Sequence, residues 1–182
     1  MKRFLKKIIP ESIKEKIKRI VKQIRLLVFK KEATHLSSDQ LVKEFKKAGI
    51  QKGDALFIHS SLKGLGYIEN GAITVIEALK QVVTEEGTLI FPTFTIKGSM
   101  YETLSDETLV FDPKSSASTV GYITNQFLKS GNVYRSLHPT HSVAAWGKHA
   151  EYITSNHYEL STNFGENTPF GKFLDLNGKV LG

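Results

Sequence analysis

The stretch that decides the fold is GDALFIHSSLKGLG, residues 53–66. Its first part, residues 54–58, is a short apolar run that predicts a buried β-strand. The rest is rich in serine and glycine and predicts a turn directly after that strand. In an open α/β sheet, ligands bind beyond the carboxyl ends of the strands, and small residues there let backbone N–H groups approach a phosphate or a pantetheine chain. The alternative is an ordinary strand-to-helix turn.

Helical and strand-like patterns alternate on both sides of this stretch. Ser37 and Gln40 form a capping-box pattern for a helix that ends at Gly49. Residues 73–83 carry a helical apolar stripe, and residues 88–91 are a second buried apolar run. This alternation predicts an α/β fold in which a central mixed sheet is flanked by helices, with residues 35–182 forming the main domain.

The second half of the domain continues the alternation. Residues 95–117 are polar and predict a long irregular loop, of the kind that often carries function. The further predictions, in chain order, are a helix capped by Ser118, a strand over residues 142–146, a helix over residues 148–156, a short helix that begins at Thr168-Pro169, a turn at Asn177-Gly178 and the start of a strand at residues 179–182.

The positive charge of the chain is concentrated at its beginning. Residues 1–32 hold 12 Lys and Arg against 3 Glu, a net charge of +9, and the rest holds 13 against 15, a net charge of −2. Residues 1–34 also carry an apolar stripe at helical spacing and are predicted to be a basic amphipathic leader. Three interpretations stay open: a helix packed on its own domain, a helix lying on an anionic membrane surface through residues 1–32, and a partner or nucleic-acid contact. For the main domain, no nucleic-acid binding is predicted.

Composition excludes several classes of function. The chain has no cysteine, which excludes disulfides, a thiolate zinc site and a cysteine nucleophile. The absence of cysteine fits a reducing compartment as well as an exported protein. We expect a cytoplasmic protein, with peripheral contact on the inner face of the membrane if the leader binds there. No segment resembles a signal peptide or a transmembrane helix. The serine- and glycine-rich turn after residue 58 matches neither the Walker A motif nor the G-x-G-x-x-G motif of nucleotide-binding sites. The sequence also lacks the G-x-S-x-G motif of serine hydrolases.

RSLHPTHS, residues 135–142, gathers an arginine, two histidines and three hydroxyl groups. His138 or His141 could act as a general base there, although a structural histidine beside a proline turn is an open alternative. No third ligand stands nearby in sequence, so no metal site is predicted. The other histidines, His35, His149 and His157, are predicted to be surface or capping residues.

Six stretches together resemble the aminoglycoside N(3)-acetyltransferase family. They lie in the family's order over residues 53–182: GDALFIHSSLKGLG (53–66), GAITVIEAL (71–79), GTLIFPTFT (87–95), FDPKSSASTVGYI (111–123), YRSLHPTHSVAAWG (134–147) and NTPFGKFLDLNGKVLG (167–182).

The resemblance implies transfer of an acetyl group from acetyl-CoA, as a cosubstrate, to an amine of an aminoglycoside or a related amino sugar. It implies direct attack of the amine on the thioester, without an acyl-enzyme and without a metal. By similarity, the residues expected at the CoA cleft are Ser60, Ser61, Leu62, Lys63, Gly64, Thr93, Ser118 and Arg135.

The sequence departs from the family in two respects. Members continue into a T-x-x-H-x-x-E motif that supplies the base and its orienting partner, whereas this sequence stops at Gly182, so we expect weak or absent activity, with His138 as the local substitute for the base. In the loop of residues 95–108, Lys97 accompanies the acidic residues, which suggests a less cationic acceptor. The alternatives are a non-catalytic CoA-binding or sugar-nucleotide-binding remnant and an interaction protein that acts at a membrane surface through its leader.

Overall fold

The computed structural model describes residues 10–32, 35–59, 65, 67–160 and 162–182. The chain divides into two units, residues 1–35 and residues 36–182. The described helices are α1 (Glu11–Glu32), α2 (Ser38–Lys47), α3 (Ala72–Val83), α4 (Met100–Ser105), α5 (Tyr122–Phe127), α6 (Ala150–Thr154) and α7 (Pro169–Asp175), with a 3-10 helix (His157–Glu159) after α6. The described strands are β1 (His35–Leu36), β2 (Ala55–Ile58), β3 (Tyr67–Ile68), β4 (Thr88–Pro92), β5 (Tyr134–Arg135), β6 (Val143–Gly147) and β7 (Lys179–Leu181).

Helix α1 accounts for nearly all of the described part of the first unit. It begins directly after Pro10. The isoleucines of its apolar stripe are about half exposed, from 46% at Ile13 to 54% at Ile24. Among the described residues, no helix combines the length and the apolar character that crossing a membrane requires.

A five-stranded sheet in the order β5-β6-β4-β2-β7 forms the centre of the second unit. Strand β2 runs parallel to both β4 and β7, while β6 runs antiparallel to β4 and to β5. The prediction of a mixed sheet flanked by helices is therefore confirmed. With this topology, the carboxyl ends of β2, β4, β5 and β7 and the amino end of β6 lie along one edge.

Both faces of the sheet are buried, which explains why β2 is apolar at every position. Leu56 and Ile58 face a core that includes α2, α3 and α5. Ala55 and Phe57 point to the opposite face, which α6 and α7 cover. Successive strand residues point to opposite faces, so a strand with helices on both sides reads as a continuous hydrophobic run.

Two of the described helices begin with a capping box. At α2, the Gln40 amide donates to Ser37 Oγ (3.3 Å) and the Ser37 amide donates to Gln40 Oε1 (2.8 Å), as predicted. The same arrangement at Ser99 and Glu102 begins α4. That helix lies within residues 95–117, so the prediction of a long irregular loop there is wrong at residues 100–105. The Ser-x-x-Glu pattern at residues 99–102 is the sequence signal that indicates the helix.

The predicted cap at Ser118 is wrong. Helix α5 begins at Tyr122, and Ser118 Oγ accepts the amide of Val120 instead (3.1 Å). No side chain caps α5, whose N-cap is Gly121; the side chain of Asn125, inside the helix, instead holds the preceding turn. Its Oδ1 accepts the Ser118 amide (2.9 Å), and its Nδ2 donates to the carbonyls of Ser118 and Gly121 (both 2.8 Å).

A buried lysine joins the two helices on the second face. Lys172 of α7 is only 7% exposed, and its Nζ donates to Ser155 O (2.7 Å), Ser155 Oγ (2.9 Å) and Tyr152 O (3.0 Å). These acceptors lie at the carboxyl end of α6, where helical carbonyls have no partner within the helix and where a cation is favourable.

We therefore expect Lys172→Met to lower the free energy of unfolding by about 2 kcal/mol, because the apolar stem is kept while buried carbonyls lose their donor. Chemical denaturation of the full chain measures this change. Lys148→Met, at an exposed lysine in the turn before α6, is the matched control and should be neutral. Equal stability of the two variants would contradict the assigned role.

Candidate functional site

The shared edge of the sheet brings Thr93 into contact with two residues from the distant stretch 135–142, Arg135 and Ser142. Thr93 follows β4, Ser142 precedes β6, and Arg135 ends β5. The two hydroxyl groups lie 2.9 Å apart, and Arg135 Nη2 donates to the carbonyl of Thr93 (2.9 Å) while its Nε donates to Ser142 Oγ (3.2 Å). Of the predicted cofactor residues, Thr93 and Arg135 are therefore in direct contact.

Arg135 also holds the loop that follows α4 against this edge of the sheet. Its Nη1 donates to the carbonyls of Ser116 and Pro113, and its guanidinium lies over the ring of Phe111, 5.0 Å from the centroid. Burial lowers the pKa of Arg135 to about 10, against the opposing effect of Asp112, so the group stays charged at neutral pH. The guanidinium thus binds protein acceptors on several sides.

The predicted residues Ser60, Ser61, Leu62, Lys63 and Gly64 lie outside the described residues. The structure does describe the residue before them. The amide of His59 donates to Leu181 O (2.8 Å) and its ring stacks on Phe57, with 5.0 Å between centroids.

Ser118 is 7% exposed and lies beside the end of β4. The connection is made by its neighbour Thr119, whose amide donates to the carbonyl of Phe94 (2.8 Å). The Ser118 hydroxyl accepts the Val120 amide, as described above. The Ser118 hydroxyl therefore bonds within its own turn.

Three histidines cluster next to the arginine network. The ring centroids of His138 and His157 are 4.5 Å apart, and those of His138 and His141 are 5.8 Å apart. The prediction that His157 is a surface or capping residue is wrong, because the side chain is fully buried. Helix α6 ends at Thr154 and Asn156 adopts a left-handed conformation (φ 57°), which places His157 in the interior.

His157 is held by one hydrogen bond. Its Nδ1 lies 2.9 Å from Ser136 Oγ, and that oxygen accepts the amide of Val143 (2.9 Å). The other ring nitrogen, Nε2, is buried with no partner among the described residues. Burial, and then the neighbouring His138, His141 and Lys172, lower the pKa of His157 to about 4.

The same environment keeps the other two rings neutral. Burial and the neighbouring His141 lower the pKa of His138, although a hydrogen bond with Asn163 opposes the change. Burial also lowers the pKa of His141. His138 Nδ1 accepts the amides of His141 (3.0 Å) and Thr140 (3.3 Å). Since that nitrogen is an acceptor, the proton of the neutral ring resides on Nε2.

Two cavities open beside this edge, separated by Ser116 and Ala117. The larger, of about 520 Å³, is bordered by the three cations Lys114, Lys129 and Arg135. The smaller, of about 340 Å³, lies between residues 95–117 and the turn at Pro139 and Thr140. Within the described ranges, no three histidine or acidic side chains are grouped closely enough to hold a metal ion.

The sequence of this chain is similar to those of proteins whose family is known. The model of the family described as Aminoglycoside 3-N-acetyltransferase matches residues 57–182. The aminoglycoside N(3)-acetyltransferase III of a Salmonella species is 36% identical over 152 residues, which are 78% of this chain and 53% of that protein. The SPbeta prophage-derived aminoglycoside N(3')-acetyltransferase-like protein YokD of Bacillus subtilis is 31% identical over 160 residues, 80% of this chain and 58% of that protein.

Solved structures resemble the fold as well. The crystal structure of YokD matches with a TM-score of 0.67 at 31% identity, over 76% of this chain and 60% of that one. AAC-IIIb in a binary complex with CoASH matches with a TM-score of 0.70 at 26% identity, over 81% and 59%. AAC-VIa bound to sisomicin matches with a TM-score of 0.72 at 27% identity, over 81% and 59%.

The chain thus spans a little over half the length of the curated relatives that it matches. The family model covers more than two thirds of the chain, from β2 to β7, and the family resemblance predicted from the six stretches is confirmed. The chain belongs to the aminoglycoside 3-N-acetyltransferase family.

Proposed function

We propose that this chain binds acetyl-CoA and takes part in acetyl transfer to the amine of a small molecule. The observation that carries the proposal is the edge where Thr93, Arg135 and Ser142 converge beside the segment that follows β2. In a sheet with parallel strands, this edge is where ligands bind. Family membership supports the same reading, and a structural neighbour is a complex with CoASH.

The proposed reaction is direct transfer. The amine nitrogen forms a bond to the acetyl carbonyl carbon, the carbon–sulfur bond breaks, and CoA leaves as the thiol. The protein must orient the two substrates, accept a proton from the amine and stabilise the oxyanion. Residues 60–64 stay our prediction for the cofactor contact, whereas Thr93, Ser118 and Arg135 are proposed to hold the wall of the cleft.

His138 stays a prediction for the base. Its ring is neutral at pH 7, as a base requires. Its Nδ1, however, is engaged by the amide of His141 (3.0 Å), so the ring would have to release that amide before accepting a proton there. The geometry favours a positioning role, in which His138 orders the turn that leads into β6.

A second proposal concerns the leader, with a domain boundary near residue 34. Ile17, Ile20 and Ile24 are about half exposed on α1, and the 32 first residues carry a net charge of +9. An exposed apolar stripe with flanking lysines fits a helix that lies on an anionic membrane surface. We propose a cytoplasmic protein that makes this peripheral contact.

Acetyl-CoA binding is tested by isothermal titration of CoA into the full chain. We expect saturable binding, weakened about thirtyfold by the double variant Ser60→Ala/Ser61→Ala, since two lost hydrogen bonds of about 1 kcal/mol each cost about 2 kcal/mol together. Ser130→Ala, on the carboxyl side of α5, should bind like the unaltered chain. Release of free thiol with a panel of amines then measures turnover. Absence of CoA binding would remove the proposal, and binding without turnover would leave the non-catalytic alternative.

The histidine cluster predicts a pH-dependent stability. The unfolded chain protonates His157 near pH 6.5, while the folded chain resists protonation down to about pH 4, so stability falls as the pH drops through this window. Between pH 7.5 and pH 5, His157 alone should cost about 2 kcal/mol of unfolding free energy. Chemical denaturation at both values measures the loss. His157→Phe should reduce the pH dependence and His149→Gln should not; an unchanged slope in His157→Phe contradicts the assignment.

Vesicle sedimentation tests the leader. Vesicles rich in phosphatidylglycerol should pellet the full chain, and Ile20→Glu should reduce the bound fraction about tenfold, through lost apolar contact and added negative charge. Ile73→Glu, at a position of α3 that is 55% exposed against 53% for Ile20, is the matched control. Equal pelleting of the two variants would rule out binding through α1.

A further inference from the structure

Half of the residues that line the smaller cavity are apolar. Six of its twelve lining residues are hydrophobic or proline: Leu104, Leu109, Val110, Phe111, Ala117 and Pro139. Leu104 and Val110 at its rim are 68% and 84% exposed. Large apolar side chains left open beside a cavity are a feature of binding sites, so the lining favours a ligand with an apolar part.

The hydroxyl groups of this cavity are already engaged within the protein. Thr103 Oγ1 accepts the amide of Lys97 (2.9 Å) and lies 3.0 Å from the carbonyls of Lys97 and Ser99. Thr95 Oγ1 donates to the carbonyl of Pro139. Because these groups have partners, they add little capacity for binding a highly polar ligand.

One carboxylate and one ammonium group supply the charge of the lining. Asp106 Oδ1 accepts the hydroxyl (2.6 Å) and the amide (3.0 Å) of Thr108. These bonds, with a smaller effect of Lys97, lower the pKa of Asp106, so the carboxylate is ionised at neutral pH. Asp106 can therefore pair with one ligand ammonium, while Lys97 repels any further cation.

The neighbouring cavity strengthens this asymmetry. It lies on the other side of Ser116 and Ala117 and is bordered by Lys114, Lys129 and Arg135. A ligand that carried several ammonium groups would bring some of them close to Lys97 or to one of these three cations. Like charges without compensation oppose binding.

We propose that the cavity between residues 95–117 and the turn at Pro139 and Thr140 binds the acetyl acceptor, and that this acceptor is a monoamine with an apolar substituent rather than a polycationic aminoglycoside. The assignment rests on the acetyl transfer proposed above. An ammonium form of the acceptor plus acetyl-CoA gives the amide, free CoA thiol and one proton released to the solvent. Thr95 and Thr140 connect the cavity to Thr93 and His141 at the edge of the sheet.

The test is isothermal titration of three amines into the full chain, with no CoA present. The probes are glucosamine, its benzyl glycoside, and sisomicin as the polycation. The benzyl glycoside should bind about tenfold more tightly than glucosamine, and sisomicin should bind more weakly than the benzyl glycoside at physiological ionic strength. Tighter binding of sisomicin, or no binding of any of the three, overturns the assignment.

Charge and contact variants locate the binding. Lys97→Glu should strengthen sisomicin binding about tenfold, whereas Lys148→Glu, with the same change of net charge outside the cavity, should not. Leu104→Ser should reduce the preference for the benzyl glycoside about fivefold. Its control is Leu174→Ser in α7, a leucine 71% exposed against 68% for Leu104. Equal effects of a variant and its control contradict the assignment.

These experiments distinguish a failure of the acetyl-transfer proposal from a failure of the acceptor proposal. If the amines bind in the expected order but CoA does not bind, the acetyl transfer is wrong and the cavity assignment stands as an amine site. If CoA binds and sisomicin is preferred among the amines, the acetyl-transfer proposal stands and the monoamine acceptor is wrong.

Discussion

The candidate site depends on the hydrogen bonds that the guanidinium of Arg135 donates. It donates to the carbonyl of Thr93 at the end of β4, to the hydroxyl of Ser142 at the start of β6 and to carbonyls of the loop after α4. An arginine can satisfy several acceptors at once because its donors are fixed in a planar fork. A lysine has one nitrogen and could not join the same three segments. This side chain, together with the bonds from Thr119 to the carbonyl of Phe94, holds the loop in place and so contributes to the shape of both cavities.

Most of the sheet could be predicted from the sequence because a strand that is buried on both faces appears as a continuous apolar segment. Strands β2 and β4 are continuous apolar runs between turns, and α2 carries an explicit capping box at Ser37 and Gln40. Strand β5 has only two residues, Tyr134 and Arg135, which is too short for any periodicity. Its place at the edge is set by pairing with the nearby strand β6, and a two-residue segment carries no pattern from which that pairing could be predicted.

The candidate site could be predicted from the sequence only in part, and its arrangement could not. Arg135 and Thr93 were named from the family resemblance, but nothing in their spacing indicated that they bind each other. The position of His157 after a helix in a polar segment predicts a surface or capping residue. Its burial depends on Asn156, whose left-handed backbone turns the chain inward, and on Ser136, 21 residues earlier. Such contacts arise only when the strands are assembled.

The thin partition of Ser116 and Ala117 has a consequence for how two ligands would act on each other. It borders both cavities and is tied to the sheet through the carbonyl of Ser116. Any occupant that displaces the partition enlarges one chamber at the expense of the other. Two ligands could therefore influence each other's affinity without touching, and by thermodynamic linkage the influence would be equal in both directions.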